Sequence, residues 1–359
     1  MRRGQDHFSP DYATARRRLI EACAARGLTV ESHRHPLRGP AGEPIALDVV
    51  RVGPADAPRR LLLLAGTHGV EGYFGAAVIH GLIADGHLDR LPPGLAVIMV
   101  HGVNPWGFAW TRRVTEENVD LNRNWIDFSA PRPEHKDYER IADALLPESL
   151  EPACLAAADA ALRHFARSNG LAALQAAVTR GQYHFGDGLY FGGFGPTWAR
   201  RRMTEVASAH LAGAEHVVAV DFHSGLGAYG DGELITIAAP GSADHHRAIA
   251  LFGDKVKSTL TGESLSAHLT GSLDEGLVAL TAPAALTFIA LEVGTRDGQT
   301  VIAALRDDNW LHRSGRLAGG GARAIKARLK DAFAPGEADW QDRVYDLGIG
   351  CVTGAIARL

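Results

Sequence analysis

Runs that are apolar at every position, rather than at every second one, dominate the chain and set its predicted architecture. Residues 61–66 form such a run, and so do 95–100 (Leu-Ala-Val-Ile-Met-Val), 216–222 (His-Val-Val-Ala-Val-Asp-Phe), 234–238 and 286–291 (Leu-Thr-Phe-Ile-Ala-Leu). Continuous apolarity over so short a length predicts strands covered on both faces. Residues 44–52 alternate instead, predicting a further strand, and 53–58 are turn chemistry. An N-terminal helix is expected over 9–26, with Ser9 as its cap, Pro10 at its first position and Gly27 at its end. Further helices are predicted over 74–84, 139–146, 153–168, 171–179, 244–260, 300–311 and 323–333. Strands alternating with helices predict an α/β fold: one domain over 1–359, with a mixed, mostly parallel sheet and helices on both faces. Residues 110–124 look too charged for the core, and 181–196 form a glycine-rich loop interleaved with aromatics. With the alanine-rich helices before it, that loop reads as an insertion spanning about residues 130–200.

Composition narrows the function. At 359 residues, 46% hydrophobic and 22% charged, the chain is long enough for a large core. A net charge of -4 and a pI near 6.5 exclude the basic footprint of a nucleic-acid or membrane-surface partner. Cys23, Cys154 and Cys351 lie far apart, excluding a cysteine metal knuckle or a disulfide framework, and a reducing, cytoplasmic setting is expected. The N-terminal arginines precede no apolar signal region, and no window nears the roughly 18 apolar residues of a membrane span. Oligomeric state leaves no trace in the sequence.

In open α/β sheets the ligand site lies beyond the carboxyl ends of the strands. Here those ends carry polar groups: His68 and Glu71 after the first apolar run, His101 and Asn104 after the second, His223 after the third and Glu292 after the fifth. His68-x-x-Glu71 lets one turn of backbone aim an imidazole and a carboxylate at a single cation. Such a pair is common by chance, as a helix-capping Glu beside a surface His, and only the downstream groups give it weight. His33, His35, His245 and His246 occur on polar segments and read as surface residues. Gly225-Leu226-Gly227-Ala228-Tyr229-Gly230 fits a dinucleotide fingerprint, but that motif must open a helix, and here it leads into the strand at 234–238. Ser224 lacks the first glycine of a nucleophile elbow. A non-catalytic binding protein with a degenerate site is the remaining rival.

Four blocks, in order, resemble the zinc carboxypeptidases of the carboxypeptidase A type. They are His68-x-x-Glu71; Asn118-Val119-Asp120-Leu121-Asn122-Arg123-Asn124-Trp125; Val220-Asp221-Phe222-His223-Ser224-Gly225; and Thr287-Phe288-Ile289-Ala290-Leu291-Glu292-Val293-Gly294. Residues 66–72, Gly181-Gln182-Tyr183 and Gly188-Leu189-Tyr190-Phe191-Gly192-Gly193 are similar to an uncharacterised bacterial branch of that superfamily, domain of unknown function 2817, from about Phe8 onward. The resemblance implies the phosphorylase/hydrolase-like fold of the carboxypeptidases and one Zn²⁺ held by His68, Glu71 and His223, with water in the open fourth position. It also implies Glu292 as general base, Arg113 as the oxyanion guanidinium with Arg112 as runner-up, and Asn122 with Arg123 as the grip on a substrate carboxylate. Glu292 also reads as a strand-end partner of Arg296, and the arginines as a solvated basic loop. Asp120 and Asn124 are expected to brace their loop.

The chain departs from the superfamily in two respects. Residues 265–273 hold no counterpart of the mobile tyrosine found before the general base, and Tyr229 is the candidate to substitute for it in space. The extra residues 181–198 are expected to reshape the pocket. The resulting expectation is a zinc-dependent amide hydrolase acting beside a free carboxylate, on a small peptide in the manner of a carboxypeptidase or on an N-acyl amino acid in the manner of aspartoacylase-like members.

Overall fold

The computed structural model describes residues 3–359, so Met1 and Arg2 of the predicted 1–359 unit lie outside the described residues. Eight strands among them form one sheet: β1 (Val30–Arg38), β2 (Pro44–Val52), β3 (Arg59–Ala65), β4 (Leu95–His101), β5 (His216–Tyr229), β6 (Gly232–Thr236), β7 (Val256–Ser258) and β8 (Ala285–Gly294). Their order is β1-β2-β4-β3-β5-β8-β6-β7. The central run β4-β3-β5-β8 is parallel, whereas β1-β2, β2-β4 and β6-β8 are antiparallel. The mixed, mostly parallel α/β architecture is as predicted.

The apolar runs explain the layering. Successive strand residues point to opposite faces, so Leu61, Leu63 and Ala65 enter one core with the helices Gly72–Ala84 and Ala338–Arg358. Leu62 and Leu64 enter a second core with the helices Trp198–His210 and Leu273–Thr281. Each Leu of β3 is fully buried, worth roughly 2 kcal/mol apiece in apolar transfer.

Several boundaries differ from the prediction. The first helix is Tyr12–Ala25, capped by Asp11, whose extended backbone lets its carboxylate accept the Thr14 N–H at 2.7 Å; Ser9 and Pro10 precede it. The helix expected over 244–260 stops at Phe252, where Gly253 turns left-handed (φ +89°) and the chain enters β7. Residues 139–146 split into two short turns, Lys136–Glu139 and Ala142–Leu145. The helices Trp198–His210, Leu273–Thr281 and Ala338–Arg358 and the edge strand β1 were not predicted. Ala338–Arg358 carries three glycines that lower its propensity. One of them, Gly348, is required by packing, because a Cβ there would lie 2.4 Å from Val78 Cγ2.

The segment 110–124 is the clearest correction. It is not a solvated loop: Arg112, Thr115, Asp120, Arg123 and Asn124 are all buried, their charges matched by partners within the fold. His35 is also buried, 3.2 Å from Glu116, rather than on the surface. No helix among the described residues is long and apolar enough to cross a membrane.

Candidate metal centre and its cavity

β3 ends at Ala65, and Gly66 (φ +78°) swings the chain into a 3₁₀ turn, Gly69–Glu71, preceded by His68. Gly69 permits a close backbone crossing, since a Cβ would fall 2.0 Å from Gly107 C and 2.5 Å from Arg112 O. The crossing is stitched by Gly69 N–H to Arg113 O (3.0 Å) and Val70 N–H to Arg112 O (2.9 Å). The same contacts therefore position His68, Glu71 and Arg113 together. From the neighbouring strands, β5 supplies His223 and β8 supplies Glu292, which face each other in register.

His68, Glu71 and His223 are buried and offer one ligand atom each, all within 4.8 Å of one another. The two imidazoles flank the carboxylate: His68 Nδ1 lies 3.0 Å from Glu71 Oε1, and His223 Nδ1 lies 2.9 Å from Oε2. Behind them, His68 Nε2 is 3.1 Å from Asp120 Oδ1 and His223 Nε2 is 2.8 Å from Asp221 Oδ2. Thr67 Oγ1 donates to the Asp221 Oδ1 at 2.9 Å. An acid behind each imidazole is the arrangement that fixes the tautomer of a metal-ligating histidine, leaving Nδ1 to the ion. One further detail fits a cation: His68 Nδ1 is sealed from solvent and, despite its nearness to Glu71, makes no hydrogen bond.

The charges are strongly perturbed. Burial alone would raise Glu71, yet His68 and Arg113 hold it below the usual carboxylate range. Burial likewise opposes ionisation of Asp120, but Arg113, His68 and Arg123 hold it well below its ordinary value. For His223, burial works against the charge and is outweighed by Asp221 and Glu71, which raise it well above the usual imidazole value. Glu292 moves the other way, raised first by burial and then by repulsion from Glu71. Two acids in one site with opposite shifts is the pattern that separates a ligand from a proton carrier. Glu292 Oε1 accepts the Leu226 N–H at 2.9 Å and has no contact with Arg296, which pairs with Asp331 and Glu337.

The cluster opens into a cavity of about 130 Å³ whose walls include Arg113, Asn122, Arg123 and Glu292. Arg113 donates to Glu71 (2.6 Å) and Asp120 (3.0 Å), with Nη2 2.9 Å from His68 Nε2. Arg112, the sequence runner-up, points elsewhere: it donates to Asp308 (3.1 Å) and Asn118 (2.8 Å) and is absent from the cavity walls. Arg123 reaches the cavity, but three of its donors serve the carbonyls of Arg180, Asn122 and Thr179. Asn122 Oδ1 accepts the Leu273 N–H at 3.1 Å, tying the cavity to the Leu273–Thr281 helix. Asp120 and Asn124 brace the loop as expected; Asn124 Nδ2 donates to the carbonyls of Gly192 and Gly195. His101, the last residue of β4, and Asn104, just beyond it, stay outside the cavity, and Asn104 caps the helix Pro105–Ala109.

The chain matches the family described as protein of unknown function (DUF2817) over residues 8–346. It belongs to that family. No curated protein gives a match to this DUF2817 member. Among solved structures it is similar to a carboxypeptidase A from Helicoverpa armigera, at 13% identity and a TM-score of 0.49, covering 91% of this chain and 74% of that one. It is similar to a metallo-carboxypeptidase from Burkholderia cenocepacia at 12% identity and a TM-score of 0.42, covering 96% and 68%. A succinylglutamate desuccinylase from a Silicibacter species aligns at 15% identity and a TM-score of 0.41, covering 80% and 67%.

Three cavity or support residues of this DUF2817 chain carry no individual role in the sequence reading, although the loop holding one of them, Tyr190, is expected there to reshape the pocket. Asp221 supports His223 from two positions away on one strand, and that spacing, which puts both on the same face, was the available signal. Asp274, in the unpredicted Leu273–Thr281 helix, lines the cavity, with burial pushing its carboxyl up to about 6. Tyr190 also lines it, whereas Tyr229 and the other aromatics of 181–196 do not. The Gly-x-Gly-x-x-Gly stretch lies in and just beyond β5 and opens no helix, removing the geometry that a dinucleotide needs.

Proposed function

We propose that the chain is a zinc-dependent amide hydrolase that cleaves next to a residue bearing a free carboxylate, releasing an amino acid from a short peptide. Deacylation of an N-acyl amino acid is the alternative with the same machinery. The observation that carries the reading is the sealed, unbonded His68 Nδ1 facing Glu71 and His223, each imidazole backed by its own acid, with Glu292 one strand away.

A zinc ion bound there supplies Lewis acidity to a carbonyl oxygen and makes water easier to deprotonate. The remaining work belongs to the chain. Glu292, its affinity for a proton raised by burial, takes a proton from water and hands it to the departing amine. With His68 holding an ion through Nδ1, its Nε2 must carry the proton and donate to Asp120, so the Arg113 Nη2 nearby is freed for the substrate oxygen on which charge develops. Asn122 and Arg123 orient the substrate carboxylate on the same wall. Asp274 gives the cavity a buried acid without a cationic side-chain partner among the described residues, so a substrate side chain with an ammonium or guanidinium tip satisfies it.

The test is amino-acid release from dipeptides, longer peptides and N-acyl amino acids, ending in basic or apolar residues, with zinc and with a chelator. Zinc-dependent release, fastest for basic residues, is expected. Zinc-loaded protein that cleaves no member of the panel defeats the proposal.

A further inference from the structure

The hydrolase reading leaves a phenol of the cavity wall unused. Tyr190 sits in the loop 181–196, 7% exposed, with the Arg113 guanidinium 5.2 Å from its ring centroid and that of Arg123 5.6 Å away. The one ring thus lies against both the guanidinium proposed for the developing oxyanion and the one proposed for the substrate carboxylate. Its hydroxyl makes no hydrogen bond to any described residue, yet it is not among the sealed polar atoms left without a partner. A phenol oxygen that is neither bonded nor sealed is free to meet a ligand, and this side chain lines both the cavity and a smaller pocket that shares Arg113 with it.

The backbone supports the assignment. Tyr190 has φ +53°, a left-handed conformation that costs a side-chain-bearing residue about 1 kcal/mol or more. Glycines stand two positions away on either side, at 188 and 192, so a cheaper residue for this conformation is already in local use. Both flanks hold the turn in place: Gln182 N–H donates to Tyr190 O at 3.1 Å, and Asp120 N–H donates to Phe191 O at 2.8 Å. Asp120 is the acid behind His68, so the loop carrying the phenol is tied directly to the support of the metal centre.

We infer that the Tyr190 hydroxyl is a substrate-binding donor, giving a hydrogen bond to the substrate held beside Arg113 and Arg123. The inference deepens the hydrolase reading and rests on it for the identity of the substrate.

Tyr190→Phe keeps the ring and both guanidinium contacts and deletes only the donor. With full zinc content and unchanged melting temperature, its kcat/KM should fall roughly tenfold to a hundredfold. A parallel measurement does not depend on turnover: calorimetric binding of a dipeptide and of an N-acetyl amino acid to zinc-loaded Glu292→Gln protein, with and without Tyr190→Phe. Affinity should drop several-fold when the hydroxyl is removed. Turnover within twofold of wild type together with unchanged affinity overturns the role of Tyr190. A wild-type protein that cleaves nothing, yet loses ligand affinity on Tyr190→Phe, sinks the hydrolase reading while sustaining the Tyr190 contact.

Discussion

Glu71 and Glu292 are the same distance of chemistry apart as any two glutamates, yet their surroundings drive them in opposite directions. Glu71 meets His68, Arg113 and His223 and stays ionised; Glu292 meets mainly burial and the Glu71 charge and holds its proton more tightly. In the proposed hydrolase that difference separates the ligand from the base by electrostatics rather than by position in a motif. Glu292→Gln keeps the shape and the hydrogen bond from Leu226 but removes the titrating oxygen. Turnover should drop by about two orders of magnitude or more while zinc content stays at wild-type level. Metal analysis beside steady-state kinetics checks this, and undiminished turnover would place the base elsewhere. At the same scale, Arg112 and Arg113 look alike in sequence. Only the fold separates them, because successive side chains leave the loop in different directions, one toward Asp308 and the other toward Glu71.

The elements that matter most are the 3₁₀ turn Gly69–Glu71 and the buried loop at 110–124, which cross at backbone contact. Gly69→Ala should force that crossing apart, since the added carbon would lie 2.0 Å from Gly107 C and 2.2 Å from Phe108 N. A loss of about 3 kcal/mol is expected from such overpacking, together with weakened zinc binding, because His68 and Glu71 move with the turn. Denaturant titration and zinc content provide the measurement, and a variant matching wild type in both would show the crossing to be slack. This loop was read from sequence as solvated because its charges are dense. Charge density alone does not distinguish a wet loop from a buried one whose arginines find acids from distant segments, as Arg112 finds Asp308 across 196 positions. The Leu273–Thr281 helix was overlooked for a related reason: at nine residues it is short, and its anchoring bond to Asn122 comes from 151 positions away.

Across the whole molecule, the continuous apolar runs forced a sheet covered on both faces, and the strand ends then had to gather polar groups on one side. One consequence of so sealed a core concerns acid. His101 ends β4 fully buried, with neither ring nitrogen hydrogen-bonded, and burial pushes its pKa down from 6.5 to about 4. The folded state therefore favours the neutral imidazole. Its contribution is complete above the unfolded value of 6.5 and is lost as pH falls through about 4, a difference of about 3 kcal/mol. Equilibrium unfolding from pH 7 to pH 4 should show that decline, and His101→Phe, packed against Tyr12 and Phe108, should flatten it. An equal slope in the variant would assign the acid sensitivity to other groups. The sequence by itself determined the class of fold, the buried strands and the polar residues at their ends, because apolar periodicity is local and is paid for by burial wherever the strand ends up. It also carried the ordered motifs that resemble a metal hydrolase. Only the tertiary structure decided that His68, Glu71 and His223 come within 4.8 Å of one another, that Asp120 and Asp221 back the imidazoles, and that Tyr190 rather than Tyr229 reaches the cavity. Those relations depend on strand order and loop crossings, which are set by contacts between residues 50 to 200 positions apart and so leave no periodic mark on the chain.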